Sequence, residues 1–180
     1  RGGRVDQQQL TEFEGRPAPL LKSLVERGLL QVEEISPFEP REFEPNTEPE
    51  LTPHQIQAVD SIRNSYERFQ PFLLEGVTGS GKTEVYLQLI NDILSSGRQV
   101  LVMVPEIGLT PQLMTRFSSR LQKPVAAYHS ELSESERLNI WLACRRGDIG
   151  VLVGTRSSLF MPMPQLGLIV IDEEHDASFK

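Results

Sequence analysis

Gly76-Val77-Thr78-Gly79-Ser80-Gly81-Lys82-Thr83 is the stretch on which the fold turns. An apolar run, Phe72-Leu73-Leu74, leads into it, and an amphipathic pattern from Lys82 to Leu94, stopping near Gly97, leads out. A short buried strand, a glycine-rich turn and a helix form the context in which G-x-x-x-x-G-K-[ST] carries chemistry. The glycines let the backbone wrap so that several N–H groups point to one spot, where the helix N-terminus adds partial positive charge. Such a cradle suits phosphate. Gly76, Thr78, Gly79, Ser80 and Gly81 would supply the wrapped backbone, and Lys82 would reach the β- and γ-phosphates. The Thr83 hydroxyl would bind Mg²⁺, and Glu84, next in the string, is counted with the cofactor-binding residues.

The second half of such a site is an acid at the end of a buried strand. Leu168-Ile169-Val170-Ile171 brings Asp172 to the carboxyl end of what is expected to be a central strand, at the edge where the glycine loop also lies. Asp172 would hold Mg²⁺ through a water. Glu173 would accept a proton from water attacking the γ-phosphate, so Lys82, Asp172 and Glu173 are the catalytic candidates. His175, directly after the acidic run, is a candidate link from the site to neighbouring elements. His54 and His129 are expected to be structural, and Cys144 a buried thiol on a helix.

Working outward, the rest of the chain reads as an alternation of helices and strands. A helix is expected from Gln55 to Phe69, with Thr52 as N-cap and Pro53 at its first position. Val100–Val104, Val125–Tyr128, Gly150–Val153 and Leu168–Ile171 read as strands. Pro111–Leu121 and Glu134–Arg146 read as helices between them. Near-continuous apolar strands separated by helices predict an α/β fold, a parallel sheet carrying the P-loop with helices on both faces. Before Leu51 the composition changes. Ser36 to Glu50 holds four prolines and five glutamates against one arginine, the pattern of an extended acidic linker over residues 36–50. Residues 1–35 hold a helical pattern from Ala18 to Arg27, a stop at Gly28 and a short alternating piece from Leu29 to Glu33. That is what the last part of a winged-helix-like segment looks like, and many small helix-and-strand fragments look the same.

Bulk properties bound the function. The chain has 180 residues, a net charge of −7 and one cysteine, which excludes an intramolecular disulfide and a cysteine-cluster metal site. No apolar run approaches the roughly 20 residues that span a bilayer, and the first residues lack a signal-peptide pattern, so a cytoplasmic setting with no membrane partner is expected. The negative charge does not exclude nucleic acid. From Leu51 onward 12 Lys/Arg face 14 Asp/Glu, so much of the excess sits in the linker.

Four strings together carry a resemblance. They are Gly76 to Tyr86, Val104-Pro-Glu-Ile-Gly-Leu-Thr-Pro-Gln112, Gly154-Thr-Arg-Ser-Ser-Leu-Phe160 and Ile171-Asp-Glu-Glu-His-Asp176. From about Leu51 onward the chain resembles superfamily 2 helicases of the DEAD/DEAH type, and within them the primosomal N-prime family of bacterial replication-restart helicases. The resemblance implies an ATP-dependent DNA helicase acting in primosome assembly, with residues 51–180 as the first RecA-like lobe. It implies that Gln55, with Leu51-Thr52, reads adenine. It implies that Pro105, Gly108 and Thr110 of motif Ia, and Thr155 and Arg156 of motif Ib, contact the DNA backbone. ATP and Mg²⁺ are the implied cofactors. Branched, forked or single-stranded DNA, replication-restart proteins and single-strand-binding proteins are the implied partners of a monomer. Because the chain starts at Arg1 and stops soon after His175, it is expected to be a piece of a longer protein. The family's later motifs, second lobe, arginine finger and cysteine-bound zinc sites would follow it. Nucleotide binding with weak hydrolysis and no unwinding is then expected of this chain. Two rivals remain on the sequence: another P-loop enzyme such as a kinase or transporter ATPase, and a non-enzymatic adaptor using the N-terminal helix.

Overall fold

The computed structural model describes residues 17–31, 50–77, 79–121 and 123–179. Two compact units divide the chain, residues 1–35 and 36–180. In the first, helix α1 spans Pro17–Glu26. Gly28, at φ 68°, ends it: its N–H donates to Val25 O, and the Leu29 N–H donates to Leu24 O. A left-handed glycine just past a helix satisfies the orphan carbonyls in this way. Residues 29–31 are not in a strand, and residues 32–49, which include the end of the alternating piece and almost all of the linker, lie outside the described residues.

The second unit opens with α2, Pro53–Arg63, whose first turn is closed twice over. Thr52 Oγ1 accepts from the Gln55 N–H, and Gln55 Oε1 accepts from the Thr52 N–H at 2.8 Å. This capping box, with Pro53 at the first position, starts the helix where the sequence puts it. The helix ends at Arg63, six residues short of the expected Phe69. Asn64 and Ser65 are poor helix formers, and the Tyr66 hydroxyl is drawn instead to Asp92 Oδ2 at 3.2 Å. Helix α3 follows over Lys82–Ser95, then β1 (Gln99–Met103), α4 (Pro111–Arg120), β2 (Val125–Tyr128), α5 (Glu134–Arg146), β3 (Val151–Gly154) and β4 (Leu166–Ile171).

All pairings are parallel and the strand order is β2-β3-β1-β4. The period-2 alternation divides the core into two layers. Val100, Val102 and Val104 with Val151 and Val153 face Leu87, Ile90 and Ile93 of α3 and Phe117 of α4. Leu101, Met103 and Leu152 face the opposite way, toward Ile140, Ala143 and Cys144 of α5. The RecA-like α/β sheet with helices on both faces is therefore present.

Two expectations need correction. Phe72-Leu73-Leu74 pairs with no strand; Phe72 and Leu73 are 46% and 68% exposed. And β4 is an edge strand, not a central one, with Ile169 and Ile171 exposed. No described strand pairs with the outer edge of β4, and the run before Gly76, whose Leu74 packs with Leu168 in one small cluster, does not extend the sheet.

Candidate nucleotide site and the loops beside it

Three loops leave the same edge of the sheet. Met103 pairs with Gly154 on one side and Ile171 on the other, so the segments after β1, β3 and β4 emerge side by side. The Val104 N–H donates to Gly154 O, and the Asp172 N–H to Met103 O, which locks their levels.

The glycine loop reaches this edge through α3. Gly79 and Gly81 stand at φ 79° and 81°, a region that costs an L side chain roughly 1–2 kcal/mol. At Gly81 a Cβ would also displace the Gln55 amide, so a larger residue there disturbs that side chain's place beside the loop. Lys82 Nζ donates to Gly76 O at 2.6 Å and to Val77 O at 3.3 Å, so the ammonium closes the loop on itself. A phosphate oxygen would compete for the same donors. Thr78 lies outside the described residues.

Gln55 is brought to this loop, though not as a free amide. Its Nε2 donates to Ser80 O at 3.1 Å and to Gly81 O at 3.4 Å, while Oε1 is spent on the capping box. The residue thus ties the start of α2 to the turn that precedes Lys82.

Thr83 and Asp172 meet through a residue for which the sequence suggested no role. Thr83 Oγ1 lies 3.1 Å from the Tyr86 hydroxyl, which donates to Asp172 Oδ2 at 3.0 Å. Tyr86 is buried, and that burial pushes its phenol up to about 12. Its position three residues after Thr83 puts both on one helix face, so the spacing alone could have flagged it. The two oxygen donors, one hydroxyl and one carboxylate, are the kind Mg²⁺ takes when phosphates complete its shell. Among the described residues no group of three or more His, Cys, Asp or Glu is arranged to hold a metal ion by itself, so this pair fits an ion whose shell phosphates complete.

Glu84 departs from expectation. Its carboxylate turns away from the loop and accepts from Arg116 at 2.5 Å and Arg120 at 3.0 Å, both on α4. An anionic side chain gains nothing beside phosphate, whereas two guanidinium groups neutralise it. It is a strut between α3 and α4.

Glu173 is exposed and sits at φ 52°, the one positive value on a non-glycine among the described residues. Backbone held there is strained and turns the side chain out of the strand direction. His175 is exposed, and its Nδ1 stands 4.0 Å from Glu174 Oε2 on its own turn. His54 is exposed, His129 half-buried, and Cys144 fully buried, its thiol pushed up to about 12 by that burial.

The loops after β1 and β3 carry the remaining candidates. Pro105 is buried and opens a 3₁₀ turn over Glu106–Gly108; the Gly108 N–H donates back to Pro105 O at 2.8 Å. Thr110 caps α4, its Oγ1 accepting from the Leu113 N–H at 3.2 Å. After β3, Thr155 precedes a second 3₁₀ turn, Arg156–Phe160, that closes tightly over the strand end. A Cβ at Gly154 would meet Ser158 Cβ at 2.7 Å and Tyr128 O at 2.8 Å, so glycine is required there. Arg156 is exposed, and Thr155 Oγ1 lies 3.4 Å from Ser157 Oγ.

A parallel sheet with a glycine-loop helix and an Asp-Glu-Glu-His turn at one carboxyl edge defines a RecA-like P-loop lobe. The chain matches, over residues 48–180, the family described as Type III restriction enzyme, res subunit, and it belongs to that family. It is 47% identical over 166 residues to replication restart protein PriA of Synechocystis sp., an alignment covering 91% of this chain and 20% of that protein. Replication restart protein PriA of Bacillus subtilis is 40% identical over 99% of this chain and 23% of its own length. That of Haemophilus influenzae is 48% identical over 75% of this chain and 19% of its own length. The resemblance to replication-restart proteins drawn from the four strings therefore holds. Among solved structures, RecG bound to a three-way DNA junction superposes with a TM-score of 0.62 at 29% identity, covering 88% of this chain and 20% of that one. The chain spans about a fifth of the length of the curated relatives it matches.

Proposed function

We propose that this chain is the ATP-binding first lobe of an ATP-dependent DNA helicase that serves primosome assembly and replication restart. The observation that carries the reading is the link from Thr83 through Tyr86 to Asp172, which joins the two halves of a Mg²⁺–triphosphate site in one hydrogen-bonded chain.

In this reading the backbone of Gly76 to Gly81 cradles the phosphates, and Lys82 exchanges the carbonyls of Gly76 and Val77 for phosphate oxygens. Gln55 reads adenine from beside the loop, its Nε2 exchanging the carbonyls of Ser80 and Gly81 for the base. Bound Mg²⁺ offsets negative charge on the phosphates. Thr83 and Asp172 would hold it, and Glu173 accepts a proton from the attacking water. Pro105, Gly108, Thr110, Thr155 and Arg156 contact the DNA backbone. Their support is positional, since they occupy adjacent loops at the edge that carries the nucleotide residues. The RecG structure's three-way DNA junction favours a branched DNA partner. Residues 1–35 belong to a winged-helix-like segment, 36–50 to a linker and 51–180 to the lobe; replication-restart and single-strand-binding proteins are the protein partners. The setting is cytoplasmic and the intact protein acts as a monomer; among the described residues no helix is long and apolar enough to cross a membrane.

The test is titration with a fluorescent ATP analogue in Mg²⁺ buffer. Saturable binding, weakened at least about tenfold by Lys82→Ala, is expected, consistent with loss of a charged hydrogen bond to phosphate. No binding, or binding indifferent to Lys82→Ala, would sink the proposal. Robust DNA-stimulated turnover by this chain alone would show that its catalytic parts are wrongly assigned.

A further inference from the structure

Tyr86 has a definite proton order. Asp172, as a carboxylate, only accepts, so the single phenol proton goes to Asp172 Oδ2, 3.0 Å away. Tyr86 Oη then has only lone pairs for Thr83, and the Thr83 hydroxyl must be the donor across their 3.1 Å contact. That fixes the Thr83 rotor. Its proton lies along the path to Tyr86, and its own lone pairs are turned away, free for a cation. The chain runs in one direction, Thr83 to Tyr86 to Asp172, inside a region where Tyr86 is 8% exposed and water competes little.

We propose that Tyr86 is a positioning residue for Mg²⁺: it sets the Thr83 hydroxyl proton aside and holds the Asp172 carboxylate level with it. This rests on the nucleotide-binding reading above. Tyr86 does not touch the nucleotide in this assignment; it acts through the two metal-binding oxygens. The consequence is specific. Losing the phenol oxygen leaves phosphate binding by the glycine loop and Lys82 intact and lowers the part of the affinity that Mg²⁺ contributes.

The experiment is a fluorescent ADP titration of the full chain, in Mg²⁺ and in EDTA, for the native protein and for Tyr86→Phe. The EDTA affinity should stay within about twofold, while the gain on adding Mg²⁺ should shrink about tenfold, as for loss of one hydrogen bond to a charged group. A Mg²⁺ gain that Tyr86→Phe leaves unchanged overturns the inference while sparing the nucleotide reading. Equal losses in Mg²⁺ and in EDTA overturn it too, since a merely structural role would produce them. Absence of binding by the native chain in either buffer overturns the nucleotide reading itself, and this inference with it.

A second measurement needs no change at Tyr86. The chain has three tyrosines, so the labelled phenol carbon of Tyr86 can be assigned by elimination with Tyr66→Phe and Tyr128→Phe. Its resonance should move when Mg²⁺ joins bound ADP, beyond the shift ADP causes alone. A resonance indifferent to Mg²⁺ overturns the inference.

Discussion

Glu84 sits one residue beyond the Thr83 hydroxyl, yet its charge serves the neighbouring helix. Its two guanidinium partners are unequal: the Arg120 side chain is 14% exposed and that of Arg116 47%. An ion pair open to water is worth about 0–1 kcal/mol, whereas a charged hydrogen bond shielded from it is worth about 1.5–3. Glu84→Gln should therefore destabilise the chain by about 1–3 kcal/mol in urea unfolding, and Arg116→Gln by less than about 1 kcal/mol. Equal costs for the two would show that Arg120 does not carry the strut. This role is not legible in the sequence, because the contact spans 32 to 36 residues and no local pattern reports it. The Gly76–Thr83 motif was legible because its chemistry is consecutive in the chain. Tyr86 stands between these cases, three residues from Thr83 but 86 from Asp172, so only half of its role was within reach of spacing.

Among the elements, two helices begin where a capping box closes the first turn. Thr52–Gln55 and Ser133–Glu136 both form capping boxes, and α2 and α5 start where those residues stand. At α5 the Glu136 carboxylate accepts from the Ser133 N–H at 2.8 Å and from its hydroxyl at 2.6 Å, which holds Glu136 below its ordinary value of 4.5. The sign follows from that direction. A carboxylate whose folded value is lowered adds stability above its unfolded value, and that stability fades as pH falls through the lowered one. Ser133→Ala should cost about 1 kcal/mol at pH 7, the usual worth of a cap. In Glu136→Gln the loss of stability on acidification below pH 4.5 should be shallower than in the native chain, followed by urea midpoints at stepped pH. Parallel pH slopes for the two proteins would sink the assignment. At its other end α2 stops at Arg63 short of the periodicity, because Tyr66 is held by a tertiary contact with Asp92 that the pattern does not contain.

At the scale of the whole sheet, the apolar strand runs predicted a buried β4, and the structure buries only one of its faces. Leu168 and Val170 pack toward α3, whereas Ile169 and Ile171, which pair across to Leu101 and Met103, are 42% and 49% exposed. The run LGLIVI says that both faces are suited to burial; it cannot say what covers the second, since that depends on which segment lies beside the strand. The exposed row combines two properties that promote association, unpaired backbone groups along an edge strand and β-branched side chains on its open face. At high micromolar concentration the chain should therefore self-associate, and light scattering should show the apparent mass rising with concentration. Ile169→Lys with Ile171→Lys places charge on the open face without touching Leu168 or Val170, so the double variant should remain monomeric. Its urea midpoint should shift little, because half-exposed side chains contribute a small part of their transfer energy, under about 1 kcal/mol each. Association of the double variant equal to that of the native chain would locate the sticky surface elsewhere. A collapse of its stability would mean instead that this face of β4 is packed in solution.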